Sequence, residues 1–154
     1  MVWKPRVVVA SVLERDGRYL VVEEEIAGQM TLNQPAGHLE YGESILDAVR
    51  RETLEETGYR FEPEALLGMI LGQNDDPDRV YLRFAFRGRI IEQVEGYQLD
   101  DDIVAAHWLT PDEIRNHSRL IPRNELVLHS IELYERGIRL PLDSLHYMPM
   151  EFNR

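Results

Sequence analysis

The stretch "SILDAVRRETLEETG", from Ser44 to Gly58, constrains this chain more than any other part of it. Ser44 is a good cap for a helix N-terminus, Asp47 follows three residues later as in a capping box, and Gly58 suits the left-handed residue that ends a helix. The spacing predicts a helix over Ile45–Thr57. At about 100° per residue, Leu46, Val49 and Thr53 fall on one stripe, while Glu52, Glu55 and Glu56 gather in an arc on another side. The apolar stripe needs a layer to pack on. The acidic arc needs a compensating cation, because carboxylates held this close raise one another's pKa.

The flanking sequence supplies that layer. "VVVASVLERDGRYLVVEEE" holds two β-rich runs, Val7 to Leu13 and Tyr19 to Glu25, around Asp16-Gly17, the residue pair a tight turn prefers, and it reads as a hairpin. A short strand near Leu32 leads into a Gly- and Pro-containing loop before the helix. Beyond the helix, "LLGMILG" and "VYLRFAFRGRI" read as strands separated by the turn "QNDDPD", and "IVAAHWL" reads as one more. Thr110 with Pro111 starts a second helix, and "NELVLHSIELYERG", apolar at Leu126, Val127, Ile131 and Tyr134, is a third. Strands and helices mix without strict alternation. The expected fold class is therefore α+β, an α/β/α sandwich with a mixed sheet packed between helices.

With 154 residues and no linker-like segment or repeat, the chain is expected to form a single domain over 1–154. The balance of 28 acidic against 17 basic residues, a formal charge of −11, argues against a nucleic-acid-binding face. It leaves room for a small anionic ligand bridged by metal ions. The absence of cysteine removes disulfides, thiolate zinc sites and thiol nucleophiles, and fits a cytoplasmic location. The short apolar run at the N-terminus is broken by Glu14, Arg15 and Asp16, so neither a signal peptide nor a membrane span is expected.

Three carboxylates on one helical arc suit hard divalent cations that take oxygen ligands and share their remaining positions with phosphates: Mg²⁺, with Mn²⁺ as a substitute. Zinc is disfavoured, since His38 stands without a second His or Cys at a ligand spacing, and His107, His117, His129 and His146 make no catalytic pair. A divalent cation bridging phosphoryl oxygens polarises phosphorus and acidifies water, which is the chemistry of phosphoanhydride hydrolysis. Arg51, four residues before Glu55, is placed to orient that carboxylate.

The whole segment fits a longer pattern, with Gly37, Glu43, Arg51, Glu52, Glu55, Glu56 and Gly58 at its fixed positions. It resembles the Nudix box, the signature of the Nudix hydrolases, with Thr53 and Tyr59 at two positions that are usually aliphatic. The resemblance implies a loop-helix-loop in which Glu52, Glu55 and Glu56 hold the metal, Gly37 offers its carbonyl beside it, and Glu43 supports the others. Further segments, "NQPAGHLE", "YLRFAF" and "DDDIVAAHWLTPDEI", look similar to NudJ-type phosphatases of that family. These act on nucleoside tri- and diphosphates and on hydroxymethylpyrimidine diphosphate. A monomer or homodimer acting on a small phosphoanhydride substrate is the implied form.

Family members often draw one more acid from a loop before the last strand, and Asp102 is the first candidate here, with Asp100 and Asp101 as competitors. Glu55, Glu56 and Asp102 remain open as the general base. Asn33 and Gln34 are placed to read the edge of a ring. Tyr81 and Arg83 alternate with Ala85 on one strand face, opposite Leu82, Phe84 and Phe86, so Tyr81 is available to stack and Arg83 to meet a phosphate. The rival readings are an ADP-ribose or dinucleoside polyphosphate pyrophosphatase and a nucleotide-binding module without turnover. Pro77 and Tyr81 lie further past the box than the markers of the former, and the complete set of box glutamates argues against the latter.

Overall fold

The computed structural model describes residues 1–73 and 76–151. Its chain runs β1 (Arg6–Val12), β2 (Glu14–Arg15), β3 (Arg18–Ile26), β4 (Gln29–Asn33), β5 (Ala36–His38), α1 (Ile45–Thr57), β6 (Tyr59–Gln73), β7 (Val80–Gln93), β8 (Ile103–Leu109), α2 (Pro111–Arg115), β9 (Ile121–Pro122) and α3 (Glu125–Glu135). The strands form two mixed sheets. One has the order β5-β1-β7-β6, with β1 parallel to β7. In the other, β3 is flanked by β2 and β4 on one side and β8 on the other, and β9 runs parallel to β4.

Asp16 and Gly17 both take positive φ, 53° and 78°, as a type I′ hairpin turn requires. The ladder they close is shorter than the sequence suggests. Only Glu14 and Arg15 pair with Tyr19 and Arg18, and the longer partner, β1, departs after Val12 for the other sheet. Burial explains the divergence. Residues Val8 to Val12 are all buried, on both faces of β1, and Tyr19 to Val22 are likewise all buried. Each run is a core strand needing cover on both sides, so the two belong to different sheets joined by a hairpin tip.

The alternation expected for β7 holds. Phe84 and Phe86 join Val9 of β1 in a core against Ala48 and Val49 of α1, while Ala85 joins Val12 in a core against Val127 and Ile131 of α3. Helices α1 and α3 therefore cover opposite faces of the β1–β7 pair, and burying a side chain such as Phe86 contributes about 2–3 kcal/mol. Three further differences are local. Strand β6 begins directly after the cap at Tyr59, and Pro63 is tolerated because β6 is an edge strand. Strands β5 and β9 are too short to leave a periodic signal. The expected turn between β6 and β7 includes Asn74 and Asp75, which lie outside the described residues, and Asp76 closes its remainder by accepting from the Asp78 and Arg79 amides.

Candidate active site

Helix α1 is fixed at both ends as its sequence dictates. The Ser44 hydroxyl accepts from the Asp47 amide at 3.0 Å, and Gly58 takes φ 74°. Thr53, an unusual residue for its position, finds a partner in the core. Its hydroxyl donates to Val49 O at 2.7 Å and meets the Ser11 hydroxyl of β1 at 2.8 Å, with both residues fully buried. The polar pair is satisfied, so the back of the helix still packs closely.

On the front, Arg51 gathers the acids. Its Nε and Nη2 form a fork on Glu43 at 2.9 and 2.7 Å, Nη1 reaches Glu52 at 2.8 Å and Glu55 at 3.1 Å, and Nη2 also donates to His38 O at 3.1 Å. That fork holds the Glu43 carboxyl below the usual range, and the surrounding carboxylates raise Arg51 further. One guanidinium does not suffice for the whole cluster. Burial pushes Glu52 up to about 7 in spite of Arg51, and pushes Glu56 up to about 9 although Glu56 accepts from the Ala36 amide at 2.7 Å. Both carboxyls are short of positive charge.

Oxygens of Glu52, Glu55 and Asp100 lie within 4.8 Å of one another. Asp100 is held there because its amide donates to Glu55 O at 3.0 Å. The structure thus brings Asp100, rather than the first candidate Asp102, into the carboxylate cluster, while Asp102 stands on the wall of the adjoining cavity together with Glu52. Gly37 completes the cradle: a Cβ at this position would stand inside the Glu52 carboxylate. All-oxygen donors, a deficit of positive charge and a backbone pared to admit the carboxylate fit a divalent cation.

The cavity holds about 400 Å³. Gly37, Glu52 and Asp102 line it together with Asn33, Tyr81 and Arg83, and the Tyr81 ring lies 6.4 Å from that of His38. Tyr81 and Arg83 lie on a buried face, 6% and 3% exposed. Arg83 donates through Nη1 to Gln34 Oε1 at 2.7 Å and, more weakly, to the Ser130 hydroxyl at 3.4 Å, and through Nη2 to Asn33 Oδ1 at 3.0 Å. Gln34 spends its other amide end on Val127 O at 2.7 Å, so it braces Arg83 against α3 and does not line the cavity. His38, on the same cavity wall, is lowered by burial and by Arg6 and Arg123. A larger space of about 610 Å³ between β6 and α3 contains none of the box residues.

Sequence reasoning missed Arg123, which lines the cavity and pairs with Glu24 at 3.0 Å. Nothing local marks it, since it is brought there by the two-residue strand β9. Residues 3–131 match the NUDIX domain family. The chain belongs to the Nudix family. As a Nudix hydrolase it is 40% identical over 144 residues to Phosphatase NudJ of Escherichia coli (strain K12), a match covering 93% of this chain and 92% of that protein. A solved NUDIX hydrolase from Nitrosomonas europaea is 47% identical, with a TM-score of 0.89 over 94% of this chain and 98% of that one. A UDP-X diphosphatase, 20% identical with a TM-score of 0.69 over 90% of this chain and 67% of its own, shares the fold.

Proposed function

We propose that this Nudix hydrolase is a Mg²⁺-dependent, NudJ-like phosphatase that removes phosphate from nucleoside di- and triphosphates or from hydroxymethylpyrimidine diphosphate. One observation carries the reading: the Glu52, Glu55 and Asp100 carboxylates stand beside a cavity of about 400 Å³ that has room for one ring system. A dinucleoside polyphosphate would leave its second nucleoside outside. The likeness to Phosphatase NudJ over most of both chains supports the same substrate class.

In this reading Glu52, Glu55 and Asp100 would hold the cation, with Glu56 behind them, and it would supply charge neutralisation of the phosphates and Lewis-acid activation of phosphorus. The protein's own groups provide position. Arg51 fixes Glu52 and Glu55 from one side, leaving the second oxygen of Glu55 for water, and Glu43 holds Arg51 in turn. Glu56 is closed over by the Ala36 amide, whereas the Glu55 side chain is 32% exposed and is the better placed base. Asn33, Tyr81 and Arg83 enclose the group that carries the phosphates. Among the described residues no helix is long and apolar enough to cross a membrane, and work on small metabolites in the cytoplasm is part of the same proposal.

The test is phosphate and pyrophosphate release, with and without Mg²⁺, from nucleoside di- and triphosphates, hydroxymethylpyrimidine diphosphate, ADP-ribose and a dinucleoside polyphosphate. Orthophosphate from the first three is the expected result, abolished in Glu55→Gln. Preference for the last two would replace the substrate class. Turnover of none would leave a nucleotide-binding protein.

A further inference from the structure

Arg83 is a buried guanidinium without a buried acid. Among the described residues its partners are all neutral, namely Asn33, Gln34 and Ser130, and its Nε is buried with no hydrogen-bond partner. A guanidinium carries five N–H donors, and three bonds account for both on Nη1 and one on Nη2. Nε–H and one Nη2–H remain. An arginine buried in this way costs stability unless something completes it.

Its surroundings define what that something is. The Asn33 amide is oriented by accepting from Arg83, which leaves its NH₂ as a donor. The neighbouring Arg123 already pairs with Glu24, so among the described residues lining the cavity Arg83 is the arginine without an acid partner. Tyr81, Val8 and Leu126 form apolar walls to the same cavity. Arg83 of β7 lies opposite Val8 of β1, which lies opposite His38 of β5, so two strand spacings, about 10 Å, separate it from the strand that carries Gly37. The phosphates belong at the Gly37 end.

We propose that the inner end of the cavity, built on Arg83 and Asn33, recognises the hydrogen-bond-acceptor edge of a pyrimidine-type ring on the substrate. Ring nitrogens or carbonyl oxygens accept from the remaining Arg83 Nη2–H and from the Asn33 amide, between the apolar walls, while Nε stays buried behind them. Gln34 and Ser130 position the guanidinium from α3. The inference rests on the proposed function and assigns Arg83 to the ring instead of to a phosphate.

The test uses the Mg²⁺-loaded protein and three diphosphates: pyrimidinylmethyl diphosphate, benzyl diphosphate, which has the same shape without ring nitrogens, and ringless methyl diphosphate. The wild type is expected to favour the pyrimidine over the benzyl compound by about 10- to 100-fold in kcat/KM. Arg83→Lys keeps the charge but loses the fork, and Arg83→Met loses both; each should shrink that preference to under about 3-fold, chiefly through KM. Their loss on methyl diphosphate should be at least tenfold smaller than on the pyrimidine. Equal turnover of pyrimidine and benzyl compounds by the wild type, or undiminished preference in a folded Arg83→Lys protein, overturns the inference. Equal losses on all three compounds overturn it in favour of a phosphate or purely structural role. Failure of the wild type on every diphosphate is a different outcome: it removes the proposed substrate class itself.

Discussion

Arg51 and Arg83, one beside the carboxylate cluster and one on the cavity wall, are held by opposite means. Arg51 pairs with Glu43, Glu52 and Glu55, all on its own helix or the loop before it, and its side chain keeps 22% of its exposure. Arg83 is 3% exposed and is held by neutral groups far away in sequence, on β4, the residue after it and α3. The first arrangement is an electrostatic clamp that already contains its counter-charges. The second is a socket with donors to spare. A group already surrounded by partners orients its neighbours, whereas a group left incomplete is available to a ligand.

The largest effect should come from breaking the clamp. Arg51→Ala frees three carboxylates at once, and a displacement of about 1 Å at such a site costs on the order of 100-fold in rate. We expect kcat to fall at least that far, with KM for the pyrimidine diphosphate less affected; a KM effect dominating the loss would merge the two arginines' roles into one. A smaller effect should rank the two aspartates. Asp100→Asn should raise the Mg²⁺ concentration for half-maximal activity by about 10-fold or more, and Asp102→Asn by less. The reverse order in a Mg²⁺ titration would return Asp102 to the cation.

The smallest effect is on stability. Burial raises Glu52 to about 7 and Glu56 to about 9, both above the value of 4.5 for a free glutamate. A carboxyl with a raised folded pKa contributes stability that is full below its unfolded value and is lost as pH rises through the folded one. In EDTA the melting temperature should therefore fall by a few degrees between about pH 6 and about pH 9. Added Mg²⁺ should restore it most at the alkaline end, where both carboxyls are ionised. A melting temperature flat with pH in EDTA would mean that these carboxyls are not short of positive charge.

The same contrast explains what was legible. Ser44, Gly58 and the Arg51 cluster act within a short span of chain, so local spacing revealed the helix, its caps and its acidic face. The two faces of β7 were equally plain from alternation. The burial of Tyr81 and Arg83 was not, because it depends on α3, which covers that face from more than forty residues away. The long hairpin failed for a related reason: turn chemistry specifies Asp16-Gly17, but which sheet receives β1 depends on cover for both of its faces. Asp100, rather than Asp102, joins the carboxylate cluster beside a single backbone bond to Glu55 that no residue type announces.

Gly37 has a consequence of another kind. A glycine codon changed at either of its first two bases encodes a residue with a Cβ or a stop, and here that carbon would occupy the place of the Glu52 carboxylate. Because the displaced atoms are the free end of a flexible side chain, the fold has little to lose while the proposed cation site would lose a ligand. Such a mutant would accumulate in the cell at normal levels and do nothing. This position cannot drift by small steps, however tolerant the surrounding loop becomes.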